Sequence, residues 1–240
     1  MIWQNRLSRI ASTVAVAALF FGAALVSAAR AQETFAYVVT YIETLPSAEK
    51  QAVQLIDRYS AAGRQAAGNL RFQALQRVDR PNHFAFVTAW KDQKAAEAYA
   101  ASDTTKQFRD KLQPLLSAPY DERPHGGLEV ASTEVVGSIG QKSRGMVYAV
   151  THVDIIPPKK DDGIAALKQV TAPSRAESGS VRYEVLQQNS RPNHFTLVET
   201  WRNHKALEAH EVAEHTRKLR DILLPIGGSL YDQRLYTAMD

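Results

Sequence analysis

Apolar and polar positions alternate along FAYVVTYIE at residues 35–43 and along MVYAVTHVD at 146–154, so both segments read as strands rich in β-branched and aromatic side chains. Apolar positions then recur at helical spacing through residues 47–66, with Val53, Leu55, Ile56 and Tyr59 on one stripe, and a matching helix is expected over 159–176. Pro173 is expected to end or kink that second helix early. Gly68 and Gly179 stop the helices, and LRFQALQRV and VRYEVLQQN alternate as second strands. The turn sequences DRPN and SRPN lead into third strands, HFAFVTAW and HFTLVETW. A second helical region is expected over 92–116 and 203–224, and a last short strand over 128–135 and 230–237.

The order β-α-β-β-α-β thus occurs twice, and the two copies align without a gap at an offset of 111 residues. Tyr37, Gly68, Arg71, Trp90, Arg109 and Arg123 meet Tyr148, Gly179, Arg182, Trp201, Arg220 and Arg234, and RPNHF itself repeats at 80–84 and 191–195. Each unit is α+β and ferredoxin-like. Its helices cover one face of its sheet, and the other face needs a partner, which the second copy supplies within the same chain. The expected domains are residues 32–136 and 146–240, joined by a polar, glycine-bearing linker at 137–145.

Residues 1–31 stand apart. Arg6 and Arg9 precede an apolar run over 10–26, and Ala29-Arg30-Ala31 carries the small-x-small pattern of a signal-peptidase site. Cleavage after Ala31, a periplasmic or secreted location and no membrane anchor thereafter are expected. Three of the 29 Lys and Arg residues lie in that leader, which leaves 26 against 25 Asp and Glu. A chain so close to neutral, without a basic block, argues against nucleic-acid binding. The absence of cysteine excludes thiol catalysis, thiolate metal sites and cysteine-held clusters.

Candidate chemistry centres on histidine. Alternation in the third strand puts Phe195, Leu197, Glu199 and Trp201 on one face and His194, Val198 and Thr200 on the other, with the first copy presenting Phe84, Phe86 and Trp90 against His83, Val87 and Ala89. Trp90 and Trp201 read either as core aromatics or as walls of a site, and His83 and His194 as turn histidines or site residues. In HKALEAHEVAEH, His210 and His215 are five residues apart, about 140° around a continuous helix, so no helical zinc site is expected and Glu211 is expected to pair with His215 at the surface. His210, beside a stripe of Ala206, Ala209 and Ala213 expected to face the sheet, reads as a candidate base or as a half-exposed helix histidine. Arg109 and Arg220 read as anion stabilisers or as members of salt bridges.

The strand ending in Trp and the helix that follows, FTLVETWRNHKALEAHEVAEH, resemble the antibiotic biosynthesis monooxygenase family; FAFVTAWKDQKAAEAYAAS is a looser version with Tyr99 in place of His210. The resemblance spans nearly all of the chain after the leader. It implies a dimeric α+β barrel, here built within one chain, that oxidises an electron-rich quinol or anthrone with O2 and no cofactor or metal. On that reading His210 or His194 is the base, Arg220 the anion stabiliser and Trp201 an aromatic wall, and His83, Trp90 and Tyr99 line an altered pocket in the first copy. The haem-degrading branch of the superfamily is disfavoured, since Tyr41 and His152 stand where its first-strand Asn is needed, although His152 and His210 remain a candidate pair for metal or haem. A non-catalytic binder of a small aromatic or lipid-like ligand is the alternative, and association of two chains stays open.

Overall fold

The computed structural model describes residues 35–130 and 145–239; the leader and nearly all of the linker lie outside them. The first repeat consists of β1 (Ala36–Glu43), α1 (Glu49–Arg64), β2 (Asn69–Arg77), β3 (His83–Trp90), α2 (Gln93–Ala100), α3 (Asp103–Leu112) and β4 (Asp121–Glu129). The second consists of β5 (Val147–Asp154), α4 (Lys160–Ala176), β6 (Ser180–Gln188), β7 (His194–Trp201), α5 (His204–Glu211), α6 (Glu214–Leu223) and β8 (Asp232–Ala238).

All eight strands close into one antiparallel barrel in the order β1-β3-β2-β8-β5-β7-β6-β4. The repeats join at two seams, where β4 pairs with β6 and β8 pairs with β2. Each repeat therefore lends its last strand to the edge of the other, and no strand edge is left unpaired. Inward-facing side chains of both repeats form one core, among them Tyr37, Val39, Leu75, Val87, Tyr148, Val150, Leu186 and Tyr236. The outward face of each half packs under its own helices in a separate core, around Trp90 and Phe108 in the first repeat and Trp201 and Leu219 in the second. Alternation in β3 and β7 thus sorts the side chains as the sequence pattern requires.

A polar group spans the barrel interior. The Arg71 guanidinium forks onto Glu184, with Nη2 at 2.8 Å from Oε2 and Nη1 at 3.3 Å from Oε1. Arg182, the counterpart of Arg71, donates through Nη2 to Gln73 Oε1 at 2.6 Å, and its Nε lies 4.0 Å from Glu184 Oε2. All three charged side chains are buried. Two guanidiniums thus share one carboxylate across the approximate two-fold axis.

The repeated RPNHF is first a turn. His83 N–H donates to Arg80 O, Asn82 Nδ2 to Thr44 O and Gln76 Nε2 to Pro81 O; His194, Asn193 and Gln187 make the same bonds to Arg191 O, Ile155 O and Pro192 O. Gly68 and Gly179 hold positive φ, 79° and 98°, and a Cβ on them would meet the Cβ of Ala95 at 2.7 Å and of Ala206 at 2.6 Å. The repeated glycines and alanines therefore belong to one close approach.

Four expectations are corrected. The fourth strand of the first repeat begins at Asp121, not 128, and runs to Glu129, because β1 and β6 supply ladders on both sides of a segment that holds Pro124 and Gly126-Gly127; positions 131–135 of the expected strand lie outside the described residues. Helix α4 runs through Pro173 to Ala176, because the carbonyl left without its partner, that of Gln169, belongs to an exposed residue. Each second helical region is two helices, broken at residues 101–102 and 212–213; in the first repeat Ser102 Oγ caps α3 by accepting from Thr105 N–H. On α5 the buried face carries Leu207 and His210, while Ala209 is exposed. No helix among the described residues is long and apolar enough to cross a membrane.

Candidate functional site

The break between α5 and α6 decides the geometry of the second repeat. It brings His210 and His215 to a ring separation of 5.9 Å, where a continuous helix would have turned them apart. Both meet Glu177, just past the end of α4: Glu177 Oε1 lies 2.6 Å from His210 Nδ1 and 2.8 Å from His215 Nε2. His215 thus pairs with Glu177 rather than with Glu211, and Arg220 Nη1 takes the Glu211 backbone carbonyl at 3.2 Å.

His210 is buried and stacks on Trp201, with ring centroids 4.5 Å apart and an interplanar angle of 29°. Its Nε2 lies 3.7 Å from Glu199 Oε2 and 3.4 Å from Thr216 Oγ1. Burial pushes the imidazole below its usual value and outweighs the opposing pull of Glu177, so the ring is neutral near neutral pH. Glu199, at 1% exposure, accepts from Trp201 Nε1 at 2.9 Å through Oε2, and its Oε1 has no protein partner. Burial raises that carboxyl to about 7.

Toward solvent, Arg220 lies over the Tyr231 ring at 5.6 Å. The two residues stand together in a mainly apolar cleft of about 560 Å³ that Val153, Leu223, Leu224 and Leu230 also line. Arg220 has no carboxylate partner among the described residues, whereas its counterpart Arg109 is held by Glu122 at 2.8 Å; Gln233 stands where a second Glu122 would be.

The first repeat fills the equivalent space. Tyr99 takes the place of His210 beside Trp90, at 5.0 Å; Tyr59 stacks on it and on Phe108, and Phe72 meets it edge-on. A cavity of about 30 Å³ is left. Trp90 Nε1 donates to Thr88, the counterpart of Glu199.

The structure unites His210 with Trp201, while Arg220 lines a cleft that includes neither ring, and it separates the other expected residues from them. His194 sits at the opposite end of β7 from Trp201, about 23 Å along the strand, where its Nδ1 meets Asp154 at 2.6 Å. His83 makes the looser equivalent contact with Glu43, at 3.5 Å. His152 faces the barrel interior, edge-on to Tyr41 at 5.0 Å with Arg123 at 3.3 Å, so it lies on the other face of the sheet from His210 and the two cannot share an ion or a haem. His152 and His194 instead line a polar cavity of about 500 Å³ at the barrel mouth, with Arg123, Arg191 and Arg234. Glu177, Glu199 and Tyr231 were not singled out by the sequence, and His215 was expected at the surface beside Glu211. The one available signal was Glu199, a carboxylate on the strand face that alternation buries.

A family model described as antibiotic biosynthesis monooxygenase matches the chain twice, at residues 35–111 and 146–221. A protein of unassigned function from Synechocystis sp. is 34% identical over 64 residues, which is 27% of this chain and 44%, less than half, of that protein. Among solved structures, a candidate monooxygenase from Lactobacillus acidophilus NCFM superposes with a TM-score of 0.69 at 11% identity, covering 87% of this chain and 95% of its own. An anthrone oxidase-like protein gives 0.65 at 13% identity, covering 87% and 92%. With both halves matched and the barrel shared, this chain belongs to the antibiotic biosynthesis monooxygenase family.

Proposed function

We propose that the chain is a monooxygenase of electron-rich phenolic aromatics, of the quinol or anthrone type, working in its second repeat. One observation carries this reading. At four equivalent positions the first repeat has Ala66, Thr88, Tyr99 and Thr104, and the second has Glu177, Glu199, His210 and His215. The same fold is built without these ionisable groups next door, so packing does not require them, and burying Glu199 and His210 costs free energy that packing does not return.

The chemistry suits such a site. With Nδ1–H held by Glu177, neutral His210 carries its lone pair on Nε2, beside Glu199 and Thr216, and in this reading takes the substrate's proton there while Arg220 stabilises the oxyanion. For an anthrone the overall change is a methylene and O2 to a carbonyl and water. The enolate passes one electron to O2, and the radicals join as a peroxide that receives the proton held by His210. Loss of the remaining C–H proton then breaks the O–O bond and releases water, so the substrate supplies every electron. Export, resting on Arg6, Arg9, the apolar run and Ala29-Arg30-Ala31, belongs to the same proposal.

The test is O2 uptake with reduced naphthoquinols and anthrones in EDTA, autoxidation subtracted. Turnover should fall by at least about 100-fold in His210→Ala and persist in His83→Ala. Uptake no greater than background for every substrate, or unchanged in His210→Ala, would reject the oxygenase and favour a binding protein using the same cleft.

A further inference from the structure

We infer that Glu177, His210 and His215 form a binding site for a divalent transition-metal ion of the zinc or cobalt type. One carboxylate oxygen and two imidazole nitrogens lie within 4.8 Å of one another, the donor set such ions take. Tetrahedral ligands at about 2.0–2.2 Å from an ion stand roughly 3.3 Å apart, so the pairs at 2.6 and 2.8 Å need only open slightly. Glu177 and His215 have the freedom to do so, with side chains 17% and 25% exposed, while His210 is pinned against Trp201. That same exposure leaves the fourth position open to solvent.

Glu199 adds an outer partner for His210. With Nδ1–H given to Glu177, the His210 Nε2 lone pair faces a buried carboxylate at 3.7 Å, and Glu199 Oε1 has no partner at all. One proton between these two groups satisfies both in the metal-free chain. With an ion on Nδ1, the imidazole proton moves to Nε2 and points toward Glu199, giving the carboxylate–histidine–metal order that orients ligands in metal sites. The first repeat, with Ala66, Tyr99 and Thr104 at the ligand positions and Thr88 behind them, has none of this.

The inference concerns three side chains and stands apart from the oxygenase reading, so its readout is metal binding. The full chain, stripped with EDTA and desalted, would be titrated with Zn²⁺ by calorimetry and with Co²⁺ by visible absorption at pH 7.5. One ion per chain is expected, with Co²⁺ bands of a four- or five-coordinate nitrogen-ligated site. His215→Ala and Glu177→Gln should each weaken Zn²⁺ binding roughly tenfold or more, while His204→Ala, at an exposed histidine paired with Glu208, should not. Because both varied side chains are partly exposed, circular dichroism should show these variants folded. Absence of one-to-one binding below about 1 mM, or an affinity within about twofold of wild type in both variants, would overturn the site.

Discussion

Replacing Glu184 by Gln tests the polar bridge inside the barrel. The substitution is nearly isosteric and leaves Arg71 and Arg182 buried with no negative charge between them. Breaking a buried ion pair from one side costs about 3–5 kcal/mol, and the amide oxygen keeps one hydrogen bond, so a loss of about 3 kcal/mol is expected. For a chain of this size that is roughly 6–12 °C in Tm, with an unchanged urea m-value. The pH dependence adds a signature. Burial opposes ionisation of Glu184, but Arg71 and then Arg182 outweigh it and hold the carboxyl below its usual value. A depressed carboxyl contributes stability that is present above the unfolded value, about 4.3, and is lost as pH falls through the folded one. The gap between wild type and Glu184→Gln should therefore be widest near neutrality and narrow in acid. Urea unfolding followed by circular dichroism from pH 7 downward measures both. Equal stabilities at pH 7, within about 0.5 kcal/mol, would show that the two guanidiniums do not depend on Glu184.

The remaining expectations concern the second repeat and its glycine turn. Glu199, with its carboxyl at about 7, stays protonated in the folded chain while the unfolded chain ionises; stability should fall by about 3 kcal/mol as pH rises from about 4.5 to 7, and Glu199→Gln should flatten that slope in denaturant titrations. Gly179→Ala should cost roughly 1–3 kcal/mol, because it combines a φ of 98° with a Cβ 2.6 Å from Ala206, whereas Gly145→Ala, at φ 84° with nothing within 4 Å, should cost less by the same assay. If the oxygenase and metal readings both hold, saturating Zn²⁺ should reduce O2 uptake to background and EDTA should restore it, since an ion on Nδ1 protonates His210 Nε2; His215→Ala should resist the inhibition.

The barrel was legible because duplication prints every pattern twice, and because Trp90, Trp201 and their strand neighbours alternate cleanly between two buried faces. What escaped depended on contacts distant in sequence. Asp121–Glu129 carries no strand pattern of its own, and its order comes from ladders to β1 and to β6 of the other repeat. The site turned on a helix break: counting five residues around an unbroken helix separates His210 from His215, while the observed turn at 212–213 joins them at Glu177, which lies 33 residues before His210 in the chain. Periodicity identifies the face a side chain takes only while the element continues.

The exchange of β4 and β8 across the seams has a consequence for how such a molecule can change. A barrel assembled from two identical chains must accept every substitution in duplicate, so its axis would carry two glutamines or two glutamates. Here Gln73 meets Arg182 while its counterpart Glu184 meets both Arg71 and Arg182, an arrangement no homodimer can encode. Fusion thus gives the gene independent control of two halves that are obliged to stay together, leaving one free to serve as scaffold while the other explores chemistry.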